Sequence, residues 1–277
     1  MKTVVVTGGN RGIGQAVARG LLARGCRVVL HARDRERGER ARDELGGAGT
    51  GEVSLACGDL STKRGIRQTA ETILASCPRI DVLIHNAGLW PDERILNEDG
   101  LEMAFVVNHL APFMLNHLLE ARLVESRSRV VQVSAGLYVK GRPDLGKTPT
   151  GEDFHPLGTY PTTKLCNLLL VPRFAARWKE RGPTILALHP GVIRTGLGDR
   201  KGLLGGLLRV VKRLWKSPEE GARSVVKLAL DPALEGVTGK YYHLDVETEL
   251  LPVARNEALA AKLWSQAEKL SGLGEAG

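Results

Sequence analysis

Short, nearly uninterrupted apolar runs alternate along the chain with longer amphipathic stretches. The apolar runs predict strands at residues 3–7, 27–31, 53–56, 81–85, 129–133, 184–188 and 240–243. Apolar residues at helical spacing predict helices from the first glycine turn to about residue 24 and at residues 35–45, 62–76, 100–124, 162–181, 219–230 and 256–270.

The predicted strands are apolar at successive positions, which is typical of strands covered on both faces. Their alternation with helices predicts βαβ units and a parallel sheet. No linker-like change of composition divides the chain. We therefore expect one α/β domain over residues 1–277, with a doubly wound parallel sheet flanked by helices on both faces.

Composition narrows the class of protein. With 43% hydrophobic and 25% charged residues, the 277-residue chain can bury a full core, which excludes bulk disorder. Aromatic residues make up 4% of the chain, which argues against a stacking surface for single-stranded nucleic acid. Apolar runs stay below ~18 residues and the chain begins with a strand, so we expect a cytoplasmic protein without a transmembrane helix or signal peptide.

The four cysteines form no recognisable ligand pattern. Cys26, Cys57, Cys77 and Cys166 contain no CxxC pair and no cluster with histidine. We therefore predict reduced thiols and no metal site.

A glycine-rich loop lies between the first predicted strand and the first predicted helix. Residues 7–14 read TGGNRGIG. Glycines permit a tight turn and let the backbone approach a pyrophosphate, while the helix start offers unpaired N–H groups and a positive dipole. The loop and its strand–turn–helix context predict a dinucleotide site.

The end of the second strand bears on the choice of cofactor. An acidic residue about 20 positions past the glycine loop often binds the ribose 2′-hydroxyl of NAD. Arg33 stands 19 positions past Gly14, and Arg11 lies inside the loop. Because arginine pairs with a 2′-phosphate, we favour NADP(H). Asp34 keeps NAD(H) open.

A candidate reactive group follows from helical spacing and from the ends of strands. Tyr160 and Lys164 are four residues apart and share a helix face. A cation there stabilises tyrosinate and lowers the tyrosine pKa, so that Tyr160 can act as a general acid or base. Asn86 and Ser134 each follow a predicted strand, at the sheet edge where ligands bind in open α/β folds.

These motifs together resemble the short-chain dehydrogenases/reductases, and the resemblance covers nearly the whole chain. It rests on the glycine loop at 7–14, on the Asn-Ala-Gly at 86–88, and on Ser134, Tyr160 and Lys164. It implies a Rossmann fold in which Ser134 holds the substrate oxygen, Tyr160 transfers the proton and Lys164 binds the nicotinamide ribose. Asn108 completes the implied catalytic set by holding a water for proton relay.

The resemblance also implies the residues of the cofactor site. Asp59 would contact the adenine, and Pro190, Gly191, Ile193 and Thr195 would border the nicotinamide and its carboxamide. The full implied set is Gly8, Asn10, Arg11, Gly12, Ile13, Gly14, Arg33, Asp59, Leu60, Asn86, Ala87, Gly88, Tyr160, Lys164, Pro190, Gly191, Ile193 and Thr195.

Residues 32–34, 107–110, 216–222 and 239–242 are similar to the retinol dehydrogenase-like branch. That branch implies an NADP(H)-dependent oxidoreductase for a lipophilic aldehyde, ketone or alcohol, retinoid- or steroid-like, with a small molecule as its partner. The alternatives are an NAD-dependent alcohol dehydrogenase and a non-catalytic nucleotide-sensing protein on the same fold. The resemblance leaves a homo-oligomer open.

Most of the net charge of +8 lies in one segment. Residues 194–216 contain seven basic residues and one acidic residue. By resemblance, residues 195–217 form a substrate lid. Because leucines and Trp215 accompany the basic residues of 203–216, peripheral contact with an anionic membrane is a second interpretation. No base-reading motif is present, so nucleic acid is not an expected partner.

Two local features of the active-site region complete the expectations. Pro161 disfavours helical geometry in the residue before it, so Tyr160 is predicted at the edge of its helix. Trp90 follows the Asn-Ala-Gly motif in a loop that is placed to line the pocket.

Overall fold

A computed structural model describes residues 1–193 and 216–273. They form one eight-stranded sheet with helices on both faces. The strands are β1 (Thr3–Val6), β2 (Arg27–Ala32), β3 (Val53–Cys57), β4 (Val82–His85), β5 (Arg129–Val133), β6 (Thr184–His189), β7 (Lys240–His243) and β8 (Val246–Glu247).

Helices connect the strands. They are α1 (Gly12–Leu22), α2 (Arg35–Leu45), α3 (Lys63–Ser76), α4 (Met103–Phe105), α5 (Ala111–Leu118), α6 (Glu120–Ser126), α7 (Thr159–Arg177), α8 (Pro218–Leu230) and α9 (Glu257–Ser271). A π turn at Val106–Leu110 joins α4 to α5.

The strand order is β3-β2-β1-β4-β5-β6-β7-β8. The pairs from β3 to β7 are parallel, and only the edge pair β7–β8 is antiparallel. The order reverses direction between β1 and β4, which makes that point the switch point of a doubly wound sheet. The predicted fold class is confirmed, with β8 as an edge strand that the sequence did not reveal.

The apolar strands divide their side chains between two cores. Val5 and Leu83 point to the face covered by α3, α5, α7 and α9. Val4 and Ile84 point to the opposite face, which α1 and α8 cover. Successive strand residues therefore bury against different helices, which explains why both are apolar.

The prediction of one continuous helix at 100–124 is wrong, because the structure divides this segment into several shorter elements. Gly100 has a φ of +72° and cannot continue a regular helix. Glu102 instead caps α4 through Oε2, which accepts the N–H of Phe105 at 2.7 Å. Leu119 then separates α5 from α6. The predicted helix at 162–181 is shifted, because α7 begins at Thr159 and ends at Arg177.

Within the described ranges, every helix is too short or too polar to cross a bilayer. The same residues contain no group of three or more His, Cys, Asp or Glu side chains placed to hold a metal ion. The four cysteines are unpaired thiols. The predicted lid at 195–217, the basic stretch at 203–216 and Thr195 lie outside the described residues, apart from Lys216 and Ser217.

Candidate active site

A cavity of about 780 Å³ opens at the carboxyl ends of the parallel strands. The turns that follow β1, β4, β5 and β6 contribute its lining, together with the first turn of α7. It lies at the switch point of the sheet, where ligands bind in folds of this kind.

The glycine loop forms one end of this cavity. Gly8 has a φ of +62° and Gly12 has a φ of +54°, which are backbone conformations that residues with a side chain rarely adopt. A Cβ on Gly14 would lie 2.3 Å from the carbonyl oxygen of Gly8. Glycine is therefore required at the start of α1, where free N–H groups can receive a phosphate.

Asn86 holds the glycine loop against the turn that follows β4. Its Nδ2 donates to the carbonyls of Thr7 at 3.0 Å and Gly8 at 3.1 Å. The Thr7 hydroxyl accepts the backbone N–H groups of Asn86 and Ala87. These bonds give the two residues a role in shaping the cavity as well as lining it.

His31 supports the same loop from beneath. Its Nδ1 accepts the N–H of Gly8 at 3.3 Å, and its Nε2 donates to the carbonyl of Gly58 at 3.0 Å. Both bonds require the neutral ring with the proton on Nε2. Burial lowers the pKa of His31 to about 4, which keeps that form at neutral pH.

The residues after β2 make the rim of the cavity basic. Asp34 is turned towards α2, because its carboxylate accepts the N–H of Arg37 at 2.8 Å and caps the helix. Arg11, Arg33 and Arg37 line the cavity. In the part of the chain that the structure describes, none of these three guanidiniums forms a salt bridge.

Ser134 supplies an unpaired hydroxyl at the other end of the cavity. It follows β5, and its N–H donates to the carbonyl of Leu188 at 2.7 Å. Its Oγ is buried and has no hydrogen-bond partner among the described residues. A buried hydroxyl without a partner is costly, so its position favours a ligand oxygen as the missing partner.

Tyr160 and Lys164 meet in the first turns of α7. Tyr160 lies one residue inside the helix start, close to its predicted place at the edge. The Lys164 Nζ lies 5.6 Å from the centroid of the Tyr160 ring and donates to the carbonyl of Val133 at 3.0 Å. The shared helix face predicted from their spacing is therefore present.

Burial changes the proton affinity of both side chains. It lowers the pKa of Lys164 to about 8. It raises the pKa of Tyr160 above its ordinary value, opposite to the lowering expected from Lys164. Both directions have one cause, since removal from water disfavours the charged form of each group.

Asn108 lies behind the cavity in the π turn. Its Oδ1 accepts the N–H of Leu89 at 2.7 Å, and its Nδ2 donates to the Leu89 carbonyl and to Thr163 Oγ1. Asn167 Nδ2 donates to the Asn108 backbone carbonyl at 2.6 Å. The side chain thus fixes the turn after β4, and its expected part in a water relay stays a prediction.

Comparison with known proteins bears on the family of the chain. The sequence profile of the short chain dehydrogenases matches residues 2–202. The chain belongs to the short-chain dehydrogenase family. This short-chain dehydrogenase is 38% identical to human retinol dehydrogenase 14, over 98% of its own length and 87% of the relative's. It is also 38% identical to bovine dehydrogenase/reductase SDR family member 13, over 99% and 74% of the two chains.

Solved structures agree with the fold of this short-chain dehydrogenase. An uncharacterized protein of Mycobacterium paratuberculosis is 28% identical and superposes with a TM-score of 0.77, over 98% of this chain and 94% of the other. A candidate NAD(P) dependent gluconate 5-dehydrogenase of Beutenbergia cavernae, with NADP bound at low occupancy, is 25% identical with a TM-score of 0.68, over 88% and 95%. Family membership makes the chain an oxidoreductase of alcohol or carbonyl groups that uses NAD(P)(H).

The cavity of the short-chain dehydrogenase brings together most of the predicted site. Asn108 does not line it, and Thr195 lies outside the described residues. The predicted residues that line it are Gly8, Asn10, Arg11, Gly12, Ile13, Gly14, Arg33, Asp59, Leu60, Asn86, Ala87, Gly88, Ser134, Tyr160, Lys164, Pro190, Gly191 and Ile193.

Several lining residues were not in the predicted site. His31 is the last residue but one of β2, and the rule that ligands bind at the carboxyl ends of strands could have found it. Arg37 follows Arg33 by four residues, but its place in the cavity depends on where α2 begins. Leu137 and Val107 carry no signal in the sequence that separates them from other apolar residues.

Proposed function

We propose that this protein is an NADP(H)-dependent oxidoreductase of a lipophilic carbonyl or alcohol, with Tyr160 as the general acid or base. The observation that carries the proposal is the convergence of the unpaired Ser134 hydroxyl, Tyr160 and Lys164 in one cavity with the glycine loop. The non-catalytic alternative accounts for the glycine loop but gives no reason for Ser134, Tyr160 and Lys164 to meet in the same cavity.

The residues present fit a dinucleotide. The strained glycines and the start of α1 suit its pyrophosphate, and the basic rim suits a further phosphate. Lys164 is placed to hold the ribose next to the nicotinamide, on the evidence of its position between β5 and Tyr160. When bound, NADPH supplies the hydride that reduces the carbonyl carbon.

The chain's own residues manage the oxygen and the proton. Ser134 Oγ binds the substrate oxygen and orients it. Tyr160 donates its phenolic proton to that oxygen during reduction, and its phenolate takes the proton back during oxidation. The positive charge of Lys164 favours the phenolate and so opposes the effect of burial on the pKa of Tyr160.

The rim of the cavity supports NADP(H) over NAD(H). Asp34 also lines the cavity, but its Oδ1 accepts the Arg37 N–H and caps α2, whereas an NAD site uses an acidic side chain to bind the ribose hydroxyl. Arg33 and Arg37 stand on either side of this cap and line the cavity. Guanidiniums bind a 2′-phosphate through charge-assisted hydrogen bonds.

Apolar side chains near the reactive group support a lipophilic substrate. Leu89 and Trp90 follow the Asn-Ala-Gly motif, Leu137 follows Ser134, and Val192 lies beside Ile193. Val192 is 55% exposed at the cavity wall. Burial of an apolar substrate against such side chains is favourable.

The proposal is tested first by titrating the purified protein with NADPH and NADH, followed by nicotinamide fluorescence. We expect Arg33→Ala to weaken NADPH binding by about tenfold or more and to leave NADH binding nearly unchanged, because only NADPH has the 2′-phosphate. Arg35→Ala is the matched control, since Arg35 is exposed and pairs with Glu39. Equal losses for both cofactors in Arg33→Ala would refute the NADP(H) assignment.

Turnover tests the role of Tyr160. A set of straight-chain and cyclic aldehydes and ketones is assayed with wild type and Tyr160→Phe. Loss of the acid should reduce turnover by about 10²–10⁴-fold while NADPH affinity changes by less than about twofold. A Tyr160→Phe variant with wild-type turnover contradicts the proton-transfer role. Binding without turnover of any substrate favours the nucleotide-sensing alternative.

A further inference from the structure

Trp90 lies against the proposed acid of the active site. It is half-buried in the turn after β4 and lines the cavity. Its ring stacks on that of Tyr160 with centroids 4.6 Å apart and planes 7° from parallel. No substrate ring can enter between two rings at this distance, so Trp90 covers one face of the phenol.

The indole is fixed from two sides. Its Nε1 donates to the carbonyl of Pro156 at 2.7 Å, in the segment before α7. The residue before it, Leu89, exchanges two backbone hydrogen bonds with the side chain of Asn108. Trp90 therefore has little freedom to turn away from Tyr160.

Tyr160 needs such a support. It is in the first turn of α7, and the N-cap Gly158 offers no side-chain hydrogen bond to the helix start. The next residue is Pro161, which disfavours a helical conformation in its predecessor. The helix itself therefore defines the position of this ring less firmly than an interior turn would.

We propose that Trp90 is a positioning residue for Tyr160, which clamps the phenol ring in the orientation needed for proton transfer and keeps water from its face. This inference rests on the proposed role of Tyr160. The sequence motifs place Trp90 beside the pocket but assign it no role in catalysis. Burial raises the pKa of Tyr160, in agreement with a ring shielded from solvent.

The first test needs no substrate. Fluorotyrosine is incorporated into the full chain, and the Tyr160 resonance is assigned by its loss in Tyr160→Phe and followed by fluorine NMR during a pH titration. We expect Trp90→Leu to shift this resonance, because the stacked ring is gone, and to lower the pH at which it titrates, because water reaches the phenol. An unchanged resonance and titration would overturn the clamp.

The second test compares the NADPH-dependent reduction of the best aldehyde or ketone from the substrate set. Displacing a reacting group by about 1 Å can cost up to ~10² in rate. We expect kcat to fall about tenfold in Trp90→Leu and less in Trp90→Phe, which keeps a flat face but loses the bond to Pro156. NADPH affinity should stay within about twofold, and the alkaline loss of reduction should move to lower pH.

A matched control separates the clamp from the general loss of an indole. Trp264→Phe removes another indole N–H bond, to Glu268 Oε1 at 2.7 Å in α9, away from the cavity. A kcat in Trp90→Leu no lower than in Trp264→Phe would overturn the proposal. So would a loss confined to KM, or one matched by a loss of NADPH affinity.

The inference and the proposed function can fail separately. If Tyr160→Phe is inactive while both Trp90 variants keep the wild-type kcat and pH profile, Tyr160 is the acid and the clamp is wrong. If Tyr160→Phe keeps its turnover, the role of Tyr160 is wrong, and the clamp as a catalytic support is overturned with it.

Discussion

Lys164 shows how one buried charge links the site to the stability of the whole chain. The side chain is 4% exposed, and burial lowers its pKa from 10.5 to about 8. The unfolded chain therefore binds more protons than the folded chain between pH about 8 and 10.5. The contribution of Lys164 to the free energy of unfolding should therefore rise with pH across this window.

Replacement of this cation should stabilise the fold. We expect Lys164→Met to raise the free energy of unfolding at pH 7 by about 1–3 kcal/mol, because methionine keeps the apolar stem and removes the buried charge. The gain should shrink between pH 8 and 10. Urea unfolding of wild type and variant at pH 7 and pH 10 measures this gain. Lys262→Met is the control, since Lys262 is exposed. A gain that is equal at both pH values would contradict the titration of Lys164.

Single residues also show the limit of what the sequence predicts. The four-residue spacing of Tyr160 and Lys164 predicted their shared face, because helix geometry is local. The spacing of Asp34 from the glycine loop could not decide between a ribose contact and a helix cap, since the answer depends on the start of α2. The stacking of Trp90 on Tyr160 joins residues 70 positions apart and leaves no local pattern.

At the scale of elements, the segment from Met103 to Ser126 departs most from its prediction. Its apolar residues keep helical spacing throughout, so the sequence indicates one helix. The structure contains α4, the π turn, α5 and α6 instead. The π turn holds Asn108, whose amide is bonded to Leu89 and Thr163. Such turns often mark functional sites.

The break between α5 and α6 places Glu120 beside the end of α7. Its carboxylate accepts two bonds from Arg177, one from Trp178 Nε1 and one from Arg181. The side chain is 14% exposed. Burial by itself would raise the pKa of Glu120, but the bonds from Arg177 and Trp178 outweigh it and hold the pKa below its usual value.

Removal of this carboxylate should loosen the packing of α6 on α7. We expect Glu120→Ala to lower the free energy of unfolding by about 2–3 kcal/mol, because a half-buried guanidinium and the Trp178 N–H lose their acceptor. Glu125→Ala is the control, since Glu125 is 73% exposed in its pair with Arg122 and should cost at most about 0.5 kcal/mol. Urea unfolding at pH 7 compares the two variants. Equal losses would show that the bonds of Glu120 to α7 contribute no more stability than an exposed surface ion pair.

At the scale of the whole molecule, the sheet was predictable because its signal is strong and repeated. Each parallel strand is an apolar run covered on both faces, so its position could be read without knowing its neighbours. β8 could not be found in this way, because it has two residues and its Val246 is 65% exposed. The cavity follows from the sheet, since the turns at the carboxyl ends of the strands must meet at the switch point.

The buried histidines make the whole fold sensitive to acid. Burial lowers the pKa of His31, His85, His109 and His189 from 6.5 to about 4 each. Between these two values the unfolded chain binds protons that the folded chain excludes. The free energy of unfolding should therefore fall as the pH falls from about 6.5 towards 4, by up to about 1.4 kcal/mol per pH unit for each histidine.

Carboxylates also contribute to acid unfolding, so the histidine share has to be isolated by substitution. We expect His85→Gln to reduce the pH slope of the free energy of unfolding between pH 6.5 and 5. The reduction should correspond to close to one fewer proton taken up on unfolding, whatever the variant does to stability at pH 7.5. Glutamine can keep a bond to Asn116 without titrating. His155→Gln is the control, since His155 is exposed in the segment before α7. Urea unfolding at pH 7.5, 6 and 5 measures the slopes. Identical slopes in both variants would mean that His85 titrates in the folded chain as it does in the unfolded one, and that burial does not hold it neutral.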